Sequence, residues 1–354
     1  MLRDKVCNIV KQHLPVIFLS ENQEAWINLE NLSDQYVPVH YGYYNVIYQR
    51  KYFEAVYDEY TDISVIIFGG GTPVCIWPLA YWKKSEEYIV GSNGLEVLPP
   101  LLLNDKFTAE ARRKLFKKCL IVLSDIMKCL GIGKCCFREV FMSGGYSIFS
   151  QCLLENEARV RTVTAECFVD LSIPLDYILS TMRRTNRYSI KKAQELWKAK
   201  IVTKHDEEEI VDKTFDDFRR LHIEVAGRET RGLDTWVIQR EALKNSDDFV
   251  ILLYDGMQKL VGASLYSTTG TAVTYSVAAY KRELFKQPVG HVSQWLAIKH
   301  AKALSKKWYY IGRRPYSGDI SKPTEKEIAI GHFKEGFATN CYPTVYTDWR
   351  LGEF

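Results

Sequence analysis

The sequence predicts a mixed-sheet α/β (α+β) chain in two lobes, with helices flanking each sheet. Three observations carry that reading. Strand patterns come in runs instead of alternating strictly with helices, which argues against a doubly wound nucleotide fold. A three-strand meander is followed by one loop, one helix and one strand. The texture also changes near residue 158: the part before it is rich in Tyr, Trp and Pro. At about 150 residues per domain, 354 residues are a little over two domains' worth, and the lobes are set at 1–158 and 159–354.

In the first lobe, residues 62–82 read as strand, loose Gly turn (Gly69-Gly70-Gly71) and strand, a hairpin. The Gly triplet has no following helix and no Lys-Ser/Thr, so it is not a phosphate-binding P-loop. Residues 88–103 are another strand and turn, closed by Pro99-Pro100. Residues 107–131 are an amphipathic helix, basic in its first half and ended by Gly131. A strand follows at 134–141.

In the second lobe, 164–173 is a strand and 174–197 a helical stretch dense in cations. A short strand at 198–205 precedes an acid-started helix at 206–227, whose first charges suit the positive end of its dipole. Another helix spans 235–246. Residues 248–280 form the meander, with turns at Asp255-Gly256 and Thr268-Thr269-Gly270. A loop, a helix at 291–306 and a strand at 308–312 complete the core, and 332–349 holds two short elements.

Composition narrows the function. Hydrophobic residues are 47% and charged residues 25%, ordinary for a soluble globular chain. The net charge of +4 is too weak for bulk nucleic-acid binding but allows a local basic cleft. No run of 18 apolar residues spans a membrane, and the N-terminus has no signal-peptide core, so the expected compartment is the cytoplasm. Nine cysteines with no CxxC pair are then expected as reduced thiols. Cys135 and Cys136, adjacent in a strand, point to opposite faces and read as core cysteines. None of the seven histidines forms an HExxH-like site, so no metal is expected. No G-x-S-x-G elbow and no GxGxxG fingerprint occurs.

Two segments carry candidate chemistry on their own residues. In the cationic helix, Arg184, Arg187 and Lys191 are spaced i, i+3, i+7 and share one face, a row that can meet phosphates or simply be solvated. Residues 222–239 gather His222, Glu229, Arg228, Arg231, Trp236 and Gln239 around Gly227, where a helix ends. Arg228 or Arg231 can hold an acceptor's carboxylate or phosphate, and Glu229 or His222 can take a proton from an amine. The alternative is a polar helix-capping cluster.

The order meander, loop, helix, strand resembles the donor-binding core of GNAT acyltransferases. That resemblance implies two parallel strands that splay to admit a donor arm, and a helix N-terminus that receives a pyrophosphate. Gln287, Gly290, His291 and Val292 fall at that place. The loop offers only Gly290 of the glycines in the R/Q-x-x-G-x-G/A fingerprint, with Pro288 beside it; Gly290 otherwise just ends a loop. More specifically, Arg183, Arg187, Ile190, Lys192 and Ala193 (R-x-x-x-R-x-x-I-x-K-A), then Phe333, Lys334, Gly336 and Phe337 (F-K-x-G-F), resemble the FemAB-like branch of the GNAT superfamily, surface-polysaccharide type. Residues 221–239 and 314–337 do so too. The resemblance covers most of 161–354, and the first half fits it in outline as a first GNAT-like lobe.

The resemblance implies two GNAT-like lobes and an enzyme that transfers an acyl group to an amine. The expected donor is acyl-CoA, acetyl-CoA first, and the expected acceptor is an amino group on a cell-surface sugar or a cell-wall precursor, free or lipid-linked. The alternative donor is aminoacyl-tRNA, for a peptidoglycan cross-bridge. A non-catalytic scaffold is the third reading. Acyl transfer passes through a tetrahedral oxyanion. Lys334 is the candidate cation for it; otherwise it is a snorkelling surface lysine. Tyr275 and Tyr316 are candidate donors to the leaving group.

Overall fold

Glycine sets the first hairpin. Gly70 and Gly71 lie in the left-handed region (φ 59° and 81°) and join two strands in a tight two-residue turn, tighter than the loose loop expected. The computed structural model describes residues 2–32, 36–103, 107–142 and 145–351. The chain divides into two units: residues up to Thr164 with those from Tyr342 on, and Ala165–Cys341.

The first unit holds α1 (Leu2–His13), β1 (Val16–Phe18), α2 (Gln23–Glu30), α3 (Tyr43–Glu54), β2 (Glu59–Asp62), β3 (Val65–Gly69), β4 (Thr72–Trp77), β5 (Ala80–Lys84), β6 (Glu87–Gly91), β7 (Leu101–Leu102), α4 (Ala109–Leu130), β8 (Lys134–Val140) and α5 (Ile148–Glu155). Its sheets run β1-β3-β4-β7 and β2-β5-β6. Helix α4 has the ends expected of it. Thr108 accepts from the Ala111 amide at 3.2 Å, and Gly131 turns left-handed (φ 69°). Its buried face, Phe116, Cys119, Leu120, Leu123 and Met127, shares a core with Val6 and Val10 of α1.

Strand β9 (Arg159–Asp170) carries the chain into the second unit. There follow α6 (Leu175–Thr181), α7 (Arg184–Leu196), β10 (Lys198–Val202), α8 (Glu208–Ala226), α9 (Leu233–Asn245), β11 (Phe249–Tyr254), β12 (Leu260–Thr268), β13 (Ala272–Tyr280), α10 (Val289–Ala303), β14 (Trp308–Arg314) and α11 (Glu325–Glu335). Strand β15 (Asn340–Arg350) brings the chain back. Its later residues pair with β8, Thr344 against Val140 through Arg350 against Lys134. A single cut at 158 therefore misplaces the chain's end, which the β8 ladder ties to the first unit.

The second unit's strands run β10-β11-β12-β13-β14-β9, antiparallel except for β13 with β14. Period-two alternation assigns the two faces. Phe249, Ile251 and Leu253 pack with α7 and α10, whereas Val250 and Leu252 pack with α8 and α9. Burial on both sides explains why β11 reads as one apolar run. The cationic stretch read as one helix is broken in two. Met182 and Arg183 are extended (ψ 150° and 141°), and the Arg187 guanidinium donates to the carbonyls of Ser180 and Met182 at 2.7 and 2.9 Å, satisfying the end of α6.

Candidate active site

Strands β13 and β14 pair in parallel over three residues only, Ala272 with Trp308, Val273 with Tyr309 and Thr274 with Tyr310. Beyond them β13 continues to Tyr280 and β14 to Arg314 without pairing to each other. This is the splay the sequence led us to expect, an open edge of backbone N–H and C=O groups that an extended ligand arm can pair with.

Lys334 reaches this place from α11. The ladder of β14 with β9 shifts register between Tyr310 and Gly312, and Gly312 adopts φ 129°. A Cβ there would stand 2.4 Å from the Lys334 amine, so only glycine leaves the amine its position against the strand. Lys334 makes no hydrogen bond or ion pair among the described residues. Burial lowers its pKa from the ordinary lysine value, partly opposed by the nearby Cys167 thiol and the Glu166 carboxylate. The neighbouring carboxylate, Glu335, is engaged elsewhere, with the Arg314 Nε at 3.2 Å and with the Arg183 guanidinium.

The two family motifs build one structure around this lysine. Arg183 donates to the His332 carbonyl at 2.8 Å and pairs with Glu335, bracing α11. Gly336 is required by Asn186 of α7, whose Nδ2 would lie 2.4 Å from a Cβ there. Ile190 and Ala193 are core residues. The rings of Phe333 and Phe337 flank His291 at 5.0 and 5.7 Å. Phe333 also comes within 3.4 Å of where a Gly290 side chain would begin. Burial pulls the His291 pKa down to about 4, and its Nδ1 is buried without a hydrogen-bond partner among the described residues. It is thus a neutral ring near pH 7.

This packing bears on the entrance to α10. The amides of Val289 and His291 bond back to the carbonyls of Gln287 and Pro288 at 2.8 and 3.2 Å. Two of the helix's first N–H groups are therefore already used, and Phe333 packs over Gly290. Gln287, Gly290, His291 and Val292 sit at the helix start as expected, and Val292 is buried in the core.

Tyr275 follows the last paired residue of β13, so it begins the splay. It joins Tyr266, Tyr280, Tyr309 and Gln294 in a buried polar group. The Tyr309 hydroxyl donates to Gln294 at 2.5 Å, while the Gln294 Nε2 and the Tyr280 hydroxyl meet no hydrogen-bond partner at full bonding geometry among the described residues. Burial holds Tyr275 well above the usual phenol range, so it is protonated. Tyr316, 42% exposed, lies 4.4 Å from the Arg314 guanidinium, which faces its ring. Burial first, then Glu335, raises its pKa.

The other predicted residues lie apart. Trp236 belongs to the α8–α9 core on the opposite face of the sheet, with Arg231 3.8 Å over its ring and His222 at its edge, 5.4 Å away. Glu229 is bonded to Arg219 at 2.5 Å, and Arg228 is exposed. Gln239 is buried on α9. The structure does not bring His222 or Glu229 to Lys334. Arg184 and Lys191 are exposed, whereas Arg187 is spent on α6, so the row of three does not form. Among the described residues no group of three His, Cys, Asp or Glu could hold a metal, and no helix is long and apolar enough to cross a membrane.

Sequence reasoning missed Gly312, Cys167, Glu335, Arg314 and Gln294. Gly312 had a signal, because a lone glycine inside a strand marks a bulge or a close approach. The others had none at the level of spacing.

Residues 180–320 match the family described as an acetyltransferase (GNAT) domain. No curated protein matches the chain. Among solved structures, FemX is similar over 96% of this chain and 98% of its own, at 11% identity and a TM-score of 0.68. A C-terminal domain assigned to a lysylphosphatidylglycerol synthetase of Agrobacterium fabrum is similar over 94% and 92%, at 10% identity and 0.56. The L-PGS of Bacillus licheniformis is similar over 82% and 84%, at 12% identity and 0.50. These likenesses show a fold. They agree with the mixed α/β class expected, and the match over 180–320 is to a GNAT domain.

Proposed function

We propose that this chain is an N-acyltransferase that moves an acyl group from an activated donor to an amino group of a cell-surface sugar or cell-wall precursor. The observation that carries the reading is the Lys334 amine, set against Gly312 at the strand splay and without an ion-pair partner among the described residues. The splay offers backbone to the donor's arm. Lys334, as a cation, stabilises the oxyanion that forms when the amine attacks. Tyr275, protonated at the splay, is placed to donate to the leaving group.

The GNAT domain implies acyl-CoA, acetyl-CoA first, as donor. One observation favours the second donor, aminoacyl-tRNA. The start of α10, where a coenzyme A pyrophosphate would need free N–H groups, is partly self-bonded and covered by Phe333. FemX and the lysylphosphatidylglycerol synthetases lend support by their fold, and the latter name implies a lysyl group joined to a lipid. A lipid-linked acceptor is compatible with that neighbourhood, and the cytoplasmic face of the membrane is then the place of action.

Thermal unfolding with acetyl-CoA, coenzyme A and charged tRNAs separates the donors. A donor at about 100 times its dissociation constant adds about 2.7 kcal/mol to the native state. A shift with coenzyme A compounds alone selects the thioester. A shift with charged tRNA that fades steeply with salt selects the aminoacyl ester. Silence from every donor defeats the enzyme reading.

A further inference from the structure

Cys167 on β9 and Cys341 on β15 bring their sulfurs to 3.6 Å. Cys167 is fully buried and Cys341 is exposed. The contact has a defined relation to the site. Cys167 stands directly across the β14–β9 ladder from Gly312, and directly opposed residues put their side chains on the same face. At position 312 that side-chain place is filled by the Lys334 amine. The Lys334 amine and the Cys167 sulfur are therefore on one face of the sheet, and Cys341, next to Cys167, is exposed.

We propose that Cys167 and Cys341 form an oxidation site, at which a peroxide converts the thiol pair to a disulfide and turns down transfer at Lys334. The effect on activity rests on the function proposed above; the formation of the bond does not.

Two features in combination set this pair apart. Cys341 is reachable from solvent, and its thiol is pulled below the ordinary value, first by the hydrogen bond with Cys167, with Arg314 and Arg183 adding to the effect against burial and Glu335. Burial instead pushes Cys75, Cys119 and Cys135 upward, which leaves them inert. The chemistry balances. The Cys341 thiolate attacks one oxygen of hydrogen peroxide; the O–O bond breaks and hydroxide leaves, giving a sulfenic acid and, with a proton from solvent, water. Cys167 then attacks the Cys341 sulfur. The S–S bond forms, the S–O bond breaks, and the departing hydroxide takes the Cys167 proton as a second water. The bond draws the Cys167 sulfur toward Cys341 and away from its place across the ladder from Gly312, so the surroundings of the Lys334 amine change with it.

The test treats the full chain with hydrogen peroxide and maps peptides by mass under non-reducing conditions. The expected result is a peptide pair joined through Cys167 and Cys341, lighter by two hydrogens. With it should come an activity loss of about tenfold that dithiothreitol reverses. Cys341→Ser should abolish the joined pair and leave activity resistant to peroxide. Exposed Cys129 reports that the oxidant has acted. The proposal is overturned if Cys341 stays unjoined at doses that oxidise Cys129, or if the joined protein transfers at the full rate. Should the chain prove inactive on every donor, the mass map still decides whether the bond forms, so the two failures are told apart.

Discussion

Two polar clusters lie on opposite faces of the second unit's sheet, and they differ in one respect: the α10–α11 face holds a buried amine that has no ion-pair partner among the described residues. On the α8–α9 face, Glu229 is bonded to Arg219, Arg231 lies over Trp236, and Lys244 is held by Glu208 and Asp212 at 2.6 and 3.0 Å. These charges are spent on each other near solvent, where such pairs contribute about 0–1 kcal/mol. On the α10–α11 face, Glu335 is taken by two arginines and the adjacent lysine has no ion pair among the described residues, buried against a glycine. By residue type the first cluster is the richer one. The second can act, because a group with no partner in the free protein can gain one in the transition state.

The sharpest way to break this comparison is to remove one charge from each face. Lys334→Ala should lower kcat by about 10²- to 10³-fold, the usual cost of an oxyanion donor, with KM little changed. Glu229→Gln should leave kcat within about twofold, since it removes only a surface pair. Steady-state kinetics of the two variants decide it, and equal losses would erase the distinction drawn here.

Gly312→Ala comes next. The new methyl meets the Lys334 amine, and φ 129° strains any side chain, at about 1–3 kcal/mol. A fall in kcat of about tenfold or more is expected, because the amine must move by an ångström or so. Gly70→Ala is the comparison. It has a left-handed φ as well, but open space around it, and it belongs to the first unit, so stability should fall while the activity of the folded protein holds.

A third pair separates packing from chemistry. Phe337 and Phe218 are both fully buried, one beside His291 and Phe333, the other against Trp236. Each change to Ala should cost about 3–5 kcal/mol in denaturant unfolding. Only Phe337→Ala should also reduce the rate per folded molecule, since it loosens the helix that carries Lys334.

Legibility followed the same divide. Elements with strong period and explicit ends were plain in the sequence: α4 between Thr108 and Gly131, the β11–β13 meander, and α10 with β14 after it. Helices α1, α2, α3 and α5 were not read. The reason is clearest in α3, where aromatic and polar residues alternate without a stripe and only Val46 is buried. At the site, motif order pointed to Lys334 and to strands that splay. It could not show that Arg183 and Arg187 are structural braces, because a cation on a helix reads the same whether it meets solvent or a carbonyl. Nor could it show that 222–239 lies across the sheet from Lys334, which depends on which side of β11 each helix covers.

The smallest expected effect tests the lysine's environment without any substrate. The folded pKa of Lys334 lies below its unfolded value because burial disfavours the ammonium. In the window between the two, the unfolded chain binds more protons than the folded one, so this group makes stability rise with pH there. Below the folded pKa the lysine is charged in both states and adds no slope. One such group can contribute at most about 1.4 kcal/mol per pH unit. Urea unfolding of the native chain and of Lys334→Met, compared from neutral pH upward, should show a positive slope that the variant lacks. Activity should run the other way, falling as pH rises through the same folded pKa, because it is the ammonium that meets the oxyanion. The same comparison on Lys244, an ion-paired cation of the opposite face, has the reverse sign. Its pKa is raised by Glu208 and Asp212, so its contribution is full below the unfolded value and is lost as pH climbs past it. If Lys334→Met left the slope unchanged, the amine would be as solvated as an ordinary surface lysine, and the contrast between the two faces would fail on its own terms.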